Sequence, residues 1–164
     1  MIYLITFACY GAHMHGDESG SIDRHHNLPG SRVLGPEPTR LAAETHLMPH
    51  PAYAMDQPRR DAVLASLAER CAQREWSLLA AHVRMNHVHV IVDGEVPPER
   101  IMNDLKSYAS RILNRMGMDG PDRKRWARHG STRWLNGRDN VSAAIRYVAE
   151  KQGEPMALFV ADHV

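Results

Sequence analysis

The sequence predicts an α+β sandwich whose segments run β–α–β–β–α–β, with a further helix after the last strand. Three observations carry this. Residues 83–93 read VRMNHVHVIVD, and Val88, Val90 and Val92 alternate with His87, His89 and Ile91, the period of two that marks a β-strand. Residues 63–71 and 101–112 instead space apolar side chains three and four apart, the pattern of helices with one buried face. Gly and Pro punctuate the chain at residues 94–98, 117–121 and 153–155, which separates these segments.

Taken in order, Ile2 to Tyr10 (IYLITFACY) is rich in β-branched and aromatic residues and reads as a buried strand. From about residue 11 to 55 Gly, Pro, His and Asp dominate and no hydrophobic period persists, apart from a possible helical turn at 39–46. A loop of this length is either functional or mobile. Within it His13, His15, His25 and His26 lie beside Asp17, Glu18 and Asp23. A second metal site or a DNA-contacting loop is one reading, but without a ligand spacing rule a solvated insertion is the simpler one.

Asp56 is a suitable N-cap, with Pro58 in the first turn, for a helix to about Arg74. Val63, Leu64, Leu67, Ala68 and Cys71 form its expected stripe. Trp76 to Arg84 is the next strand, and a tight turn at Met85–Asn86 joins it to the histidine strand as a hairpin. Pro97 and Pro98 set up a helix to about Met116, with Ile101, Leu105, Tyr108 and Ile112 as its stripe. A weaker strand follows at His129–Leu135. Asp139 or Asn140 then caps a last helix from Val141 to about Lys151, stopped by Gly153 and Pro155. This order is that of a ferredoxin-like sandwich with an added C-terminal helix.

Bulk properties narrow the class. The 164 residues fit one domain, residues 1–164, able to bury a core. The 43% hydrophobic and 24% charged content is that of a globular protein. Residues 1–9 lack the basic n-region of a signal peptide, and no run nears the ~20 apolar residues of a membrane span. Cys9 and Cys71 fit buried free thiols in a reducing compartment, so a cytoplasmic location (a bacterial-type cytosol or nucleoid) and no membrane partner are expected. The 11 histidines are scattered and follow no zinc-finger spacing.

Three constellations could carry chemistry. His87 and His89 face the same way, roughly 6.5–7 Å apart along the strand, and two neutral imidazoles can share a divalent metal. A zinc site is a competing use of the pair, but it would need further ligands that no local spacing supplies. The second constellation is basic: nine Lys/Arg (Lys106, Arg111, Arg115, Arg123, Lys124, Arg125, Arg128, Arg133 and Arg138) stand against Asp119 and Asp122, with Trp126, His129 and Trp134 among them. Clustered cations suit phosphate backbones and interleaved aromatics suit unpaired bases, the alternative being a solvated face over core tryptophans. The third is a nucleophile. Tyr108 lies inside an apolar stripe, whereas Tyr147 sits at the edge of the Val141, Ala144, Ile145 and Val148 face, about 110° from its centre at ~100° per residue. Tyr147 is therefore the better candidate.

With these residues in place, MNHVHVIV resembles the HUH motif (His–hydrophobic–His) of single-tyrosine transposases, and SAAIRYVAEKQGEPM resembles the helix that carries their tyrosine. The chain looks most like the REP-associated tyrosine transposases, over most of residues 1–156. The resemblance implies metal-dependent nicking and strand transfer of single-stranded DNA. His87 and His89 would ligate Mg²⁺ or Mn²⁺, and Tyr147 would attack a phosphate to give a 5′-phosphotyrosine and a free 3′-OH. In such enzymes a Gln or Asn four residues after the tyrosine completes the metal shell. Here Lys151 holds that position and Gln152 follows, so Gln152 is the expected third ligand. The basic cluster and Lys151 would hold single-stranded or hairpin DNA. A hairpin DNA or RNA binder without cleavage activity is the chief rival, and a zinc hydrolase using the His-rich loop a distant one. The tyrosine helix could pack on its own sheet, or on a partner's in a homodimer.

Overall fold

The computed structural model describes residues 1–12 and 50–162. His13, His15, His25 and His26 of the insertion and the expected turn at 39–46 lie outside them.

Eight elements follow in order: β1 (Ile2–Ala8), α1 (Gln57–Gln73), β2 (Ser77–Val83), β3 (His87–Asp93), α2 (Pro98–Arg115), β4 (Ser131–Leu135), α3 (Arg138–Glu150) and β5 (Ala157–Val160). The strands form one antiparallel sheet in the order β4-β1-β3-β2-β5. The first four make the expected ferredoxin-like sheet. The fifth, β5, was not expected: MALFV is too short to display a period, and it follows a Gly–Glu–Pro break. It extends the sheet beyond β2, pairing His82 with Leu158 and Val83 with Ala157.

Alternation along β3 divides the molecule into two layers. Val88, Val90 and Val92 join Ile5 and Phe7 under α1 and α2 in the larger core, with Val63, Leu67, Ile101, Leu105 and Leu113. Ile91 faces the other way, into a smaller core with Ala80, Leu135 and the α3 residues Val141, Ala144 and Val148. Consequently α3 packs on the sheet of its own chain, over the face that carries the histidines. The pattern-based stripes err by a fraction of a turn. Ala62 and Ser66 rather than Leu64 and Ala68 are buried on α1, and Leu113 rather than Ile112 on α2.

The helix ends are set locally. Asp56 caps α1, its carboxylate accepting from the Arg59 amide at 3.2 Å. Gly137, at φ 87°, and not Asp139 or Asn140, is the cap residue of α3, which begins three residues earlier than expected and has no side-chain cap. Asp104 binds Arg70 and Arg74, each at 2.8 Å, and so ties α2 to α1.

Residues 50–55, read as the tail of a polar insertion, contribute Tyr53 and Met55 to the core. The Tyr53 amide donates to the Tyr10 carbonyl and the Met55 amide to the Met85 carbonyl, and both side chains are buried. The Tyr53 hydroxyl donates to Asp119 at 2.6 Å, and burial, then that bond, pushes its pKa up to about 12. No helix among the described residues is long and apolar enough to cross a membrane.

Candidate functional site

The site forms where β3, β1 and the end of α3 meet. Antiparallel register places Thr6 opposite His89 on one side and His82 opposite it on the other. Ser131 is the partner of Thr6 on β4. A polar row therefore crosses the sheet from Ser131 through Thr6 and His89 to His82, beneath or beside α3.

His89 is 5% exposed. Its Nδ1 lies 2.9 Å from Thr6 Oγ1 and its Nε2 3.1 Å from Gln152 Oε1. Burial, reinforced by the neighbouring His87, pushes its pKa down to about 4, so the ring is neutral near pH 7. A carbonyl oxygen only accepts, so Nε2 carries the proton toward Gln152 and Nδ1 accepts from the Thr6 hydroxyl. Because a hydroxyl both donates and accepts, Thr6 can hold the opposite tautomer equally well, with Nδ1 protonated and the Nε2 lone pair exposed to a metal.

His87, at the edge of the same face, is 4.9 Å from His89 between ring centroids. Its Nδ1 donates to Asn86 Oδ1 at 2.8 Å. Tyr147, on α3, has its ring centroid 6.0 Å from that of His89 and is 47% exposed. The helix thus brings the phenol beside His89 while leaving it open to solvent. Tyr108 is buried between the guanidinium groups of Arg70 and Arg111, and its hydroxyl accepts from Gln73; it belongs to the packing between α1 and α2.

His89 and Gln152, hydrogen-bonded here at 3.1 Å, could also hold a divalent ion together with His87. Ligands at right angles around an octahedral ion with bonds of ~2.1 Å lie about 3 Å apart, which matches the Nε2–Oε1 separation. Among the described residues no cluster of three or more His, Cys, Asp or Glu exists. Among the described residues the side-chain carbonyl hydrogen-bonded to His89 is the Gln152 amide, so the groups that could hold an ion are His87, His89 and Gln152.

A family sequence model described as "Transposase IS200 like" matches residues 46–150. The chain belongs to the IS200-like transposase family. Curated proteins contain no match. A solved structure described as the REP associates tyrosine transposase bound to a REP hairpin is similar at a TM-score of 0.49 and 9% identity, over 92% of this chain. The chain spans 65% of that structure's length.

For an IS200-like transposase the expected DNA-facing cations divide sharply. Lys106 and Arg125 are corrections: both are buried, at 8% and 2% exposed. Lys106 Nζ donates to the carbonyls of Ala127 and His129 over the ring of Phe7, and burial pushes its pKa down to about 8. Arg125 donates to Asn114, Ser110, Met118 and Asp119. These two hold the 118–130 loop to α2, and their donors are engaged within the protein. Arg123 is partly buried over Tyr53 and Tyr10. Arg111, Arg115, Lys124, Arg128, Arg133, Arg138 and Lys151 are exposed. Of these, Arg133 pairs with Leu4 and so faces the α3 side, while Arg138 and Lys151 stand at the two ends of α3. Arg111 and Arg115 belong to α2, in the layer on the far side of the sheet.

His82 was missed by sequence reasoning. It is fully buried, its Nδ1 2.9 Å from the Val148 carbonyl and its Nε2 3.0 Å from the Met156 amide. The amide can only donate, so Nε2 accepts and Nδ1 donates. A histidine within an otherwise apolar strand, SLLAAHV, was the available signal.

Proposed function

We propose that this chain nicks and rejoins single-stranded DNA through a 5′-phosphotyrosine, with Tyr147 as nucleophile and His87, His89 and Gln152 as ligands of a divalent metal. The observation that carries the reading is the convergence of Tyr147 and Gln152 on His89 from a helix packed against the same sheet. Family membership adds a DNA-processing context. The substrate in this reading is single-stranded or hairpin DNA.

In the reaction, Tyr147 Oη loses its proton and forms a bond to phosphorus, and the P–O3′ bond breaks to leave a 3′-OH. A 3′-OH from a second strand reverses the step and restores the phenol, so phosphodiester energy is conserved. The metal, when bound, polarises the scissile phosphate. With a metal on Nε2, the His89 proton would move to Nδ1, and the Thr6 hydroxyl, 2.9 Å away, would accept it and keep the ring oriented. Arg133, Arg138 and Lys151 surround this face with positive charge for the phosphate backbone.

The test is a nicking assay on single-stranded and hairpin oligonucleotides with Mn²⁺ or Mg²⁺. A covalent adduct that disappears in Tyr147→Phe, persists in Tyr108→Phe and disappears in His87→Ala with DNA binding retained is expected. Tight hairpin binding without any adduct would replace this reading with a binding protein, for which Lys151 at the fourth position after the tyrosine is the favouring feature.

A further inference from the structure

Gln152 lies beyond the end of α3, and nothing in a helical repeat would direct it to His89. After Glu150 the backbone leaves the helix at Lys151 (φ −104°, ψ 10°), and Gly153, at φ 77°, turns it back toward β5. Positive φ is costly for most side chains and open to glycine. Three hydrogen bonds from side chains of β2 and its hairpin hold this return. His82 Nδ1 donates to the Val148 carbonyl, the Met156 amide donates to His82 Nε2 at 3.0 Å, and Arg84 Nη1 donates to the Glu154 carbonyl at 2.8 Å.

We propose that His82 and Arg84 are positioning residues that clamp the 148–156 segment so that Gln152 meets His89 one residue later than a regular helix would allow. The inference rests on the reading of Gln152 as a metal ligand and deepens it. One imidazole serves both ends of the segment: it caps a carbonyl of the last helical turn, adjacent in sequence to Tyr147, and it receives the amide that leads into β5. Only a neutral ring with its proton on Nδ1 can make both bonds. Arg84 adds the third point, and its guanidinium lies against Gly153, where a Cβ would sit 3.5 Å from Nη2. Held at 148, 154 and 156, the turn has little freedom left at 152. Neither His82 nor Arg84 touches His89 or Tyr147 by a hydrogen bond. The clamp acts through the segment, although His82 is also the cross-strand neighbour of His89.

The test compares wild type, His82→Phe, Arg84→Met, Gln152→Ala and the His82→Phe/Gln152→Ala double variant as full-length chains. Mn²⁺ affinity is read by electron paramagnetic resonance, and the contact between the Gln152 amide and the His89 ring by NMR on the metal-free protein. Removing support behind a ligand costs about 10–100-fold in metal affinity, and that loss is expected in both single variants. Because His82 acts through Gln152, the double variant should bind Mn²⁺ no more weakly than Gln152→Ala alone. Multiplying losses would mean that His82 acts on general stability, and would overturn the proposal. Arg84→Met, at a partly exposed site, keeps the test decisive if His82→Phe does not fold. An NMR contact that survives in both single variants also overturns the clamp. If wild type binds no Mn²⁺ but the contact is lost in the variants, the clamp stands and the metal reading falls.

Discussion

His89 and Gln152 are 63 residues apart in sequence and 3.1 Å apart between Nε2 and Oε1. Lys151, at the position one helical turn after Tyr147, is exposed at the helix end. The two neighbours should therefore separate by function. Gln152→Ala is expected to lower Mn²⁺ affinity about tenfold or more with little effect on DNA binding. Lys151→Ala should leave metal affinity within about twofold and reduce the slope of log K against log[salt] for DNA by about one. Titrations of metal and of a single-stranded oligonucleotide at several salt concentrations check both.

Thr6 provides the next prediction. Its hydroxyl, 2.9 Å from His89 Nδ1, is what permits the proton to sit on Nδ1 when Nε2 is a ligand. Thr6→Val keeps the shape of the side chain and removes the bond. Metal affinity should fall about tenfold, with recovery in Thr6→Ser. Calorimetric titration with Mn²⁺ reads the difference, and equal affinity in all three proteins would remove Thr6 from the site.

The donor set predicts a preference among metals. Two imidazoles and an amide carry no charge, and nitrogen donors suit Mn²⁺ better than Mg²⁺, which favours oxygen. Half-maximal nicking should need at least about tenfold less Mn²⁺ than Mg²⁺. Parallel metal titrations of the adduct yield check this, and a lower requirement for Mg²⁺ would overturn the neutral His, His and Gln donor set.

What was legible in the sequence was whatever repeats. Alternation identified β3 and its two faces, and the 3.6-residue period identified α1 and α2, because both record burial against a continuous layer. Tyr147 could be placed at a helix edge for the same reason. Sequence-remote partners left no such trace. Gln152, named from the family resemblance rather than from any period, reaches His89 through a turn, and His82, not foreseen, works through hydrogen bonds to backbone made far along the chain. Charge was the most misleading signal: Lys106 and Arg125 look like their exposed neighbours in sequence, but carbonyls of the 118–130 loop need donors, and these two side chains supply them.

That division among the cations can be measured. Arg125→Met should cost about 2–3 kcal/mol of stability, since it leaves buried carbonyls and part of Asp119 without a donor. The folded variant should bind DNA as wild type does. Arg133→Ala, at an exposed position facing the α3 side, should change stability by no more than about 0.5 kcal/mol and weaken DNA binding, most of all at low salt. Urea unfolding and oligonucleotide binding on the same preparations separate the two effects.

Asp119 makes the fold sensitive to acid. Burial alone would raise its carboxyl, but hydrogen bonds from Arg59 and Tyr53 and the charges of Arg59 and Arg125 outweigh this and hold it below its ordinary value of 3.8. The unfolded chain therefore binds the proton more readily than the folded one, and stability rises with pH across the interval between the two values. The contribution is complete above about pH 3.8 and is lost as pH falls through the lower, folded value. Asp119→Asn should be less stable than wild type at pH 7, because it gives up the ion pair with Arg59 at 3.0 Å, while Asn accepts the φ of 67° found there. The gap should narrow as pH drops below 4, where wild type surrenders the same interaction. Denaturant melts of the two proteins from pH 7 to pH 2.5 test this, and a gap that stays constant through the acid limb would show that Asp119 titrates alike in the folded and unfolded chains.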